Sequence, residues 1–279
     1  MRTLLVAGAT GYLGGFVIRE ARRRGLRVRA LVRPGKVVEE ADEVFEGEAT
    51  RAESLDGLCD GVDFVFSSLG ITRQTDRVSY MDVDYGANLN VLRQAEACGV
   101  QRFGFVSVPH PERFAGNPLM DARERFVAEL KASPVPSTVV RATGFFSDME
   151  EFLDMARRGS VYIFDDRTRM NPIHGADLAE VVLDALEQGE SETIAGGPDV
   201  LTQRQIAELV FAALDEPARV RVVPGWLATL AIGVLGVFSS RLHTIATFMR
   251  AGALEDMIGA PHGSHHLADH YRSLVAEGS

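Results

Sequence analysis

Three glycines spaced three residues apart lie near the start of the chain, in the run Gly8-Ala9-Thr10-Gly11-Tyr12-Leu13-Gly14. A short apolar run precedes them and a helical pattern follows, which is the context in which such glycines bind a pyrophosphate. Gly8 allows a tight turn, Gly11 lets backbone amides approach the phosphates, and Gly14 allows close packing of helix on strand. The amides at the helix N-terminus also favour an anion. The spacing therefore predicts a dinucleotide-binding loop.

The residues after the second predicted strand indicate which dinucleotide binds. An NAD site usually has Asp or Glu there, on the adenosine ribose. This chain instead has Arg33, which lies 19 residues after Gly14, with Lys36 close behind. A guanidinium binds phosphate oxygens through charge-assisted hydrogen bonds. We therefore predict NADP(H) as the cofactor, with Arg33 and Lys36 at its 2′-phosphate.

The elements that carry these residues alternate between strands and helices. The predicted strands are Thr3–Ala7, Arg27–Val32, Asp63–Ser67, Arg102–Val108 and Ser137–Arg141. The predicted helices between them span about 11–25, 52–59, 81–98 and 119–132. Such alternation implies an α/β fold, a Rossmann doubly wound parallel sheet. We predict a cofactor-binding core over 1–145, with 171–190 packing back onto it, and a smaller, mainly helical substrate-binding portion over 146–279.

The pattern changes after Arg141. The predicted elements there are helices at 148–157, 178–187 and 203–214, a hairpin-like stretch at 159–170, and helix N-caps at Asp177 and Thr202. The segment Val222–Ser240 has no charged residue, and Trp226–Phe238 is apolar on nearly every helical face. Such a helix is buried or lies in a membrane. Three interpretations stay open: buried core or dimer contact, a lid over an apolar substrate or an interfacial helix, and a membrane span. Peripheral membrane contact would involve residues 225–250.

The charge and the cysteine content of the chain limit the kinds of partner and cross-link that we expect. The chain has 29 basic and 39 acidic residues and a net charge of −10. A nucleic-acid-binding domain usually has the opposite balance, so we expect no nucleic-acid partner. With Cys59 and Cys98 as its only cysteines, the chain has neither a disulfide framework nor a cysteine metal cluster. We expect a cytoplasmic monomer or homodimer without a secretory signal.

The sequence resembles the short-chain dehydrogenase/reductase superfamily, specifically its atypical, NmrA-like members. The likeness rests on Gly8–Gly14, Leu31-Val32-Arg33, Asp84 with Asn88, Phe105-Val106-Ser107, Thr138–Arg141 and Asp177-Leu178-Ala179. The blocks Gly144–Asp148 and Asn171–His174 resemble the divinyl chlorophyllide 8-vinyl reductase branch. The resemblance implies a nicotinamide over the carboxyl ends of the strands, and a C-terminal portion that shapes the substrate site.

The resemblance also implies roles for single residues. Those implied to hold or line the cofactor are Gly8, Thr10, Gly11, Tyr12, Leu13, Gly14, Arg33, Ser67, Ser68, Leu69, Gly70, Ala142, Thr143 and Gly144. Ser107 takes the usual place of the family's catalytic serine. The family's Tyr-x-x-x-Lys motif falls on Leu119 and Arg123, so the standard proton donor is missing. Arg123 is still placed to reach the nicotinamide ribose and supply positive charge.

Other constellations point less clearly to chemistry. Ser107, His110 and Asp121 lack the sequence context of a nucleophile elbow, so a hydrogen bond from Ser107 to substrate or nicotinamide, or a structural one, is favoured over hydrolysis. His266 and His270 have a metal-binding spacing, but nothing forces a third ligand. We expect no metal, and a structural role for His174.

These observations predict an NADP(H)-dependent oxidoreductase that reduces a conjugated or otherwise activated hydrophobic small molecule, with Ser107 and Arg123 as catalytic residues. One alternative is a non-catalytic NADP-binding regulator or assembly protein, which the missing tyrosine and lysine favour. A second is a sugar-nucleotide epimerase, which the same loss of tyrosine disfavours.

Overall fold

The structure, a computed structural model, describes residues 1–71, 78–238 and 240–278. Its strands are β1 (Thr3–Ala7), β2 (Arg27–Val32), β3 (Glu43–Glu46), β4 (Phe64–Ser67), β5 (Arg102–Ser107), β6 (Ser137–Ala142), β7 (Val161–Ile163), β8 (Arg169–Met170), β9 (Glu192–Gly196), β10 (Leu201–Thr202), β11 (Val220–Val222) and β12 (Ala260–Pro261). Its α-helices are α1 (Tyr12–Arg23), α2 (Asn88–Cys98), α3 (Pro118–Ala132), α4 (Phe146–Arg157), α5 (Gly175–Gln188), α6 (Gln203–Ala213), α7 (Gly225–Phe238), α8 (Ser240–Ala253) and α9 (Leu267–Glu277).

A parallel sheet of eight strands has the order β3-β2-β1-β4-β5-β6-β9-β12. The predicted Rossmann fold is confirmed, because the first six strands have the order typical of dinucleotide-binding sheets. The order reverses between β1 and β4, where Ala7 lies beside Ser67. Ligands of such sheets bind outside the carboxyl ends of the strands at this reversal. The loops that begin at Gly8 and Ser68 both leave the sheet there.

Helix α3 packs against β5 through aromatic side chains. The Phe126 ring lies 4.8 Å from that of Phe105 and 6.0 Å from that of Phe103, measured between ring centroids. Leu119, Met120 and other apolar residues of α3 are buried as well. Because this face is buried, the registration of α3 on β5 is specified, and it places Arg123 and Glu124 at the carboxyl end of β5.

The chain forms two compact units that alternate along the sequence. The first comprises Met1–Ser107, Pro118–Arg141 and Ala179–Thr193, and the second comprises Val108–Asn117, Ala142–Leu178 and Ile194–Ser279. The expected division had its boundary after residue 145, with 171–190 packing back onto the first portion. Residues 108–117 belong with the C-terminal portion, and most of α5 belongs with the first unit.

Several local elements differ from the sequence-based expectation. The expected helix at 52–59 is a 3₁₀ turn over Ala52–Leu55, and the expected helix at 81–98 begins as a π-helix over Met81–Ala87. The hairpin at 159–170 is wrong, because β7 pairs with β11 and β8 pairs with β10. Strand β3 was not expected. Its four residues, Glu-Val-Phe-Glu, are too few and do not alternate between polar and apolar, so they carry no strong strand signal.

Of the two helix N-caps predicted in the second unit, one is confirmed and one is wrong. Thr202 caps α6 as predicted, because its hydroxyl accepts from the Gln205 amide at 3.1 Å. Asp177 is not the N-cap of α5. That helix begins at Gly175, and the Ala176 amide donates to His174 Nδ1 at 3.3 Å. His174 therefore has the structural role expected of it, as the residue that caps α5.

Helices α7 and α8 contain the long apolar segment, of which Ser239 lies outside the described residues. Trp226, Leu227 and Leu230 of α7 are exposed, so the buried-core interpretation is wrong for these side chains. Among the residues that the structure describes, no helix is both long enough and apolar enough to cross a membrane.

Candidate functional site

The glycine loop after β1 forms a tight turn in which two of the three glycines are required by packing. Gly8 has a φ of +88°, a conformation that favours glycine, and a side chain there would meet Ser68. A side chain at Gly14 would overlap the Gly8 carbonyl oxygen. Gly11 differs, because the one described atom within 4 Å of a Cβ there would be the Gly8 carbonyl oxygen, at 3.2 Å. The space beside Gly11 is therefore open to a ligand.

The start of α1 fits a phosphate group. Gly11 is the N-cap residue and provides no side-chain cap, and the first turn contains no acidic residue. Since the first amides of a helix lack intrahelical acceptors, an uncapped and uncharged first turn suits an anion. Thr10, Tyr12 and Leu13 complete this loop, and their predicted contacts with a cofactor stay predictions.

Arg33 and Lys36 lie in an exposed turn directly after β2. The Lys36 amide donates to the Arg33 carbonyl at 3.0 Å, and Gly35 allows the turn with a φ of +76°. Within the described residues, no side chain forms a hydrogen bond or ion pair with Arg33. The unexpected strand β3 adds one nearby carboxylate, because Glu46 lies beside Val32 in the sheet. The sequence could not show this neighbour without the pairing of β2 with β3.

Asn88 fixes the loop after β4 through hydrogen bonds. The Ser67 hydroxyl is fully buried and donates to Asn88 Oδ1 at 2.5 Å, while Asn88 Nδ2 donates to the Leu69 carbonyl at 3.2 Å. Ser67 thus shapes the loop, and its predicted contact with a cofactor stays a prediction. Ser68 and Leu69 are partly exposed in this loop, so they remain available for the predicted cofactor contact.

A buried ion pair joins the π-helical segment to α3. Arg123 Nη1 lies 2.8 Å from Asp84 Oδ1, and Arg123 Nη2 donates to the Val106 carbonyl at 2.6 Å. Burial raises the pKa of Asp84, and the Arg123 guanidinium and the Ile71 amide oppose that shift. A Cβ at Gly70 would lie 2.5 Å from Arg123 Nη1, so glycine is required where the loop passes this pair. Arg123 therefore has a structural role, as a partner of Asp84 and of the Val106 carbonyl. Its predicted ribose contact stays a prediction.

Ser107 ends β5 and bonds to a residue that the sequence did not single out. Its hydroxyl donates to Glu124 Oε1 at 2.9 Å. Arg141 contacts both oxygens of Glu124, at 2.8 and 3.0 Å, and also pairs with Glu192. An ionised carboxylate only accepts hydrogen bonds, so the Ser107 hydrogen points at Glu124 and the remaining lone pairs are free to accept. Arg141 appeared in the resemblance only as the end of a strand motif.

The remaining predicted cofactor residues lie in the second unit. Ala142 and Thr143 are buried, and the Thr143 hydroxyl donates to the Asn171 carbonyl at 2.6 Å. Gly144 has a φ of +147°, and its carbonyl accepts from the Ile173 amide at 2.8 Å. These bonds fix the turn after β6, and the contact of the three residues with a nicotinamide stays a prediction.

The histidines near the C-terminus pair with separate acids. His265 Nδ1 lies 2.7 Å from Asp177 Oδ1, and His266 Nδ1 lies 2.7 Å from Asp199 Oδ2. Asp199 raises the pKa of His266 through that hydrogen bond. Throughout the described chain, no group of three histidine, cysteine or acidic residues is arranged to hold a metal ion.

The signals for Asp84, Asn88 and Glu124 were present in the sequence but incomplete. Asp84 and Asn88 are four residues apart and belong to the family likeness, so their shared helix face could be found. Their partners could not, because Arg123 is 39 residues from Asp84 and Ser67 is 21 residues from Asn88. Glu124 looks like any acidic residue on a helix until β5 is placed beside it.

Comparisons with known proteins agree with this geometry. The sequence model of a family described as NAD(P)H-binding matches residues 8–189. Divinyl chlorophyllide a 8-vinyl-reductase of Oryza sativa subsp. indica is 31% identical over 267 residues, which cover 84% of this chain and 64% of that protein. Photosystem II assembly factor Ycf39 of Trieres chinensis is 26% identical over 245 residues, which cover 85% of this chain and 76% of that protein. The chain thus spans about two thirds of the rice reductase.

A solved structure shows the same fold over nearly the whole chain. The NADPH-dependent quinone oxidoreductase of Escherichia coli, complexed with NADPH, superposes with a TM-score of 0.75 and 17% sequence identity, covering 97% of this chain and 99% of that one. The likeness to divinyl chlorophyllide reductases, expected from the sequence, is confirmed. The chain belongs to the family described as NAD(P)H-binding, whose model matches well over half of it, and its cofactor is NAD(P)H.

Proposed function

We propose that this protein is an NADPH-dependent reductase of a conjugated, hydrophobic small molecule. The observation that carries the proposal is the hydrogen bond by which the Ser107 hydroxyl, at the end of β5, donates to Glu124. The resemblance places Leu119 where the family has its proton-donating tyrosine. Neither side chain supplies an acid to a reacting carbonyl. A substrate that spreads the incoming charge over a conjugated system has less need of one.

The bound nicotinamide would supply the hydride. The residues of this chain bind and orient: the loop Gly8–Gly14 takes the pyrophosphate, Arg33 and Lys36 take the 2′-phosphate, and Ser107 accepts a hydrogen bond from cofactor or substrate. Hydride addition to the β-carbon of an enone moves an electron pair onto the carbonyl oxygen. Water then supplies the proton to the α-carbon, and the carbonyl re-forms as the enolate takes it up. The name of the rice relative, a vinyl reductase, supports reduction of a carbon–carbon double bond.

A panel of substrates tests this proposal. We expect NADPH oxidation with enones to be faster than with simple ketones or aldehydes, because general acid catalysis is typically worth about 10²–10⁴ in rate and only the simple carbonyls need it. Ser107→Ala should lower kcat by about tenfold or less, with NADPH affinity nearly unchanged. Ser191→Ala, an exposed serine before β9, is the matched control. Faster turnover of any simple ketone than of every enone would refute the proposal.

NADPH preference is tested at Arg33. Arg33→Ala should weaken NADPH binding by about 1.5–3 kcal/mol, the usual worth of hydrogen bonds to a charged group, and change NADH binding little. Arg27→Ala removes an exposed arginine from the opposite end of β2 and should leave both affinities unchanged. Titration calorimetry with the two cofactors measures each effect. Equal losses for NADPH and NADH would show that Arg33 does not contact the 2′-phosphate.

The second candidate is a non-catalytic NADPH-binding assembly protein. The buried Leu119 favours it, and so does the likeness to Ycf39, which is named as an assembly factor. Tight NADPH binding without turnover of any panel substrate would favour this candidate over the reductase.

A further inference from the structure

The first turns of α7 expose large apolar side chains. Ala228 and Ile232 of this helix are buried, whereas Trp226, Leu227 and Leu230 are 71%, 42% and 58% exposed. Single exposed apolar residues are ordinary, but neighbouring large ones mark an interaction surface. The outward residues include the chain's single tryptophan.

Helix α8, which follows α7, is anchored to residues 114 and 117. The Phe114 and Phe248 rings stack with their centroids 5.0 Å apart, and Asn117 Nδ2 donates to the Thr244 carbonyl at 3.0 Å. Leu242, at the start of α8, is a further exposed apolar residue. All of these residues belong to the second unit.

The stretch of sequence that contains the two helices carries basic residues and no acidic ones. Acidic residues make up 39 of the 279, yet none occurs between Arg219 and Leu254, a stretch that contains four arginines. Arg219 and Arg221 are exposed at alternate positions beside and within β11, so they lie on one face of that strand. The register partner of Arg221 is Tyr162, which is also exposed. A protein with a net charge of −10 therefore has a local basic and aromatic rim directly before α7.

We propose that α7 and the start of α8 dock this protein on an anionic lipid surface. Helices with an exposed apolar face and basic flanking residues lie in the plane of a bilayer interface. Tryptophan and tyrosine are enriched at that depth, and arginine binds the anionic headgroups. Trp226, Leu227 and Leu230 enter the boundary of headgroups and acyl chains, and Arg219 and Arg221 contact lipid phosphates. Because α7 has only 14 residues, it lies in the interface and does not cross it.

Trp226 reports the docking directly, because no other tryptophan contributes fluorescence. Purified full-length protein is mixed with vesicles of phosphatidylglycerol or of phosphatidylcholine. We expect a blue shift of emission, and co-flotation, with phosphatidylglycerol only, weakened by added salt because screening reduces the attraction. Leu227→Ser/Leu230→Ser, which keeps the tryptophan, and Arg219→Glu/Arg221→Glu should each lower vesicle affinity by roughly tenfold or more.

Val44→Ser/Val200→Ser removes two exposed apolar residues elsewhere and should bind vesicles like the unchanged protein. NADPH affinity, measured for every variant, confirms that each one folds and keeps the test independent of the proposed reaction. Absence of a blue shift with phosphatidylglycerol would overturn the proposal, as would binding that the leucine variant retains. A dimer in gel filtration that the leucine variant dissociates, with no vesicle binding, would instead identify the face as a contact between two copies of the chain.

Discussion

Replacing Arg123 with alanine is expected to lower the free energy of unfolding by about 3–5 kcal/mol, the usual effect of breaking a buried ion pair from one side. Asp84 is completely buried and Arg123 is 11% exposed, with their nearest charged atoms 2.8 Å apart. Without the guanidinium, the Asp84 carboxylate remains buried with no countercharge, and the Val106 carbonyl loses its donor. Urea unfolding measures the loss.

The double variant Asp84→Asn/Arg123→Ala should recover part of this stability, because it removes the buried charge as well. Arg51→Ala breaks an exposed ion pair with Glu53 and should leave the free energy of unfolding nearly unchanged. NADPH affinity of folded Arg123→Ala then tests the predicted ribose contact separately. A loss of stability no larger than that of Arg51→Ala would show that the pair contributes little to the fold.

Replacing Gly11 with valine is expected to reduce NADPH affinity by at least about a hundredfold while the protein stays folded. The side chain would fill the open space beside the loop, and losing two charge-assisted hydrogen bonds to phosphate, each worth about 1.5–3 kcal/mol, accounts for this factor. Titration calorimetry measures the affinity, and circular dichroism and the unfolding midpoint report the fold.

Gly15→Val is the matched control for Gly11→Val. A Cβ at Gly15 would meet only the flexible end of Arg19, at 3.6 Å, so this variant should fold and bind NADPH. Gly14→Val should instead lower the stability of the fold, because its side chain would disrupt the packing of α1 on the turn after β1. If Gly11→Val folds and binds NADPH normally, the cofactor lies elsewhere.

The local features of this protein were readable from its sequence. The first two strands match their predicted bounds, the loop Gly8–Gly14 occupies the predicted turn, and Thr202 caps α6. Each of these depends on hydrophobic period, glycine placement or a cap within a few residues, and such signals are contained in the local sequence. The Rossmann fold followed because strand–helix alternation admits few topologies.

Tertiary structure alone decided which groups meet. The sequence shows that Arg123 is basic, but only the packing of α3 on β5 places its guanidinium between Asp84 and the Val106 carbonyl. The same packing directs the Ser107 hydrogen to Glu124. The exposed face of α7 was equally undetermined, because a helix apolar on all sides has no period that distinguishes a buried face from an exposed one. Contacts between distant segments settle such questions, and one sequence carries no local signal for them.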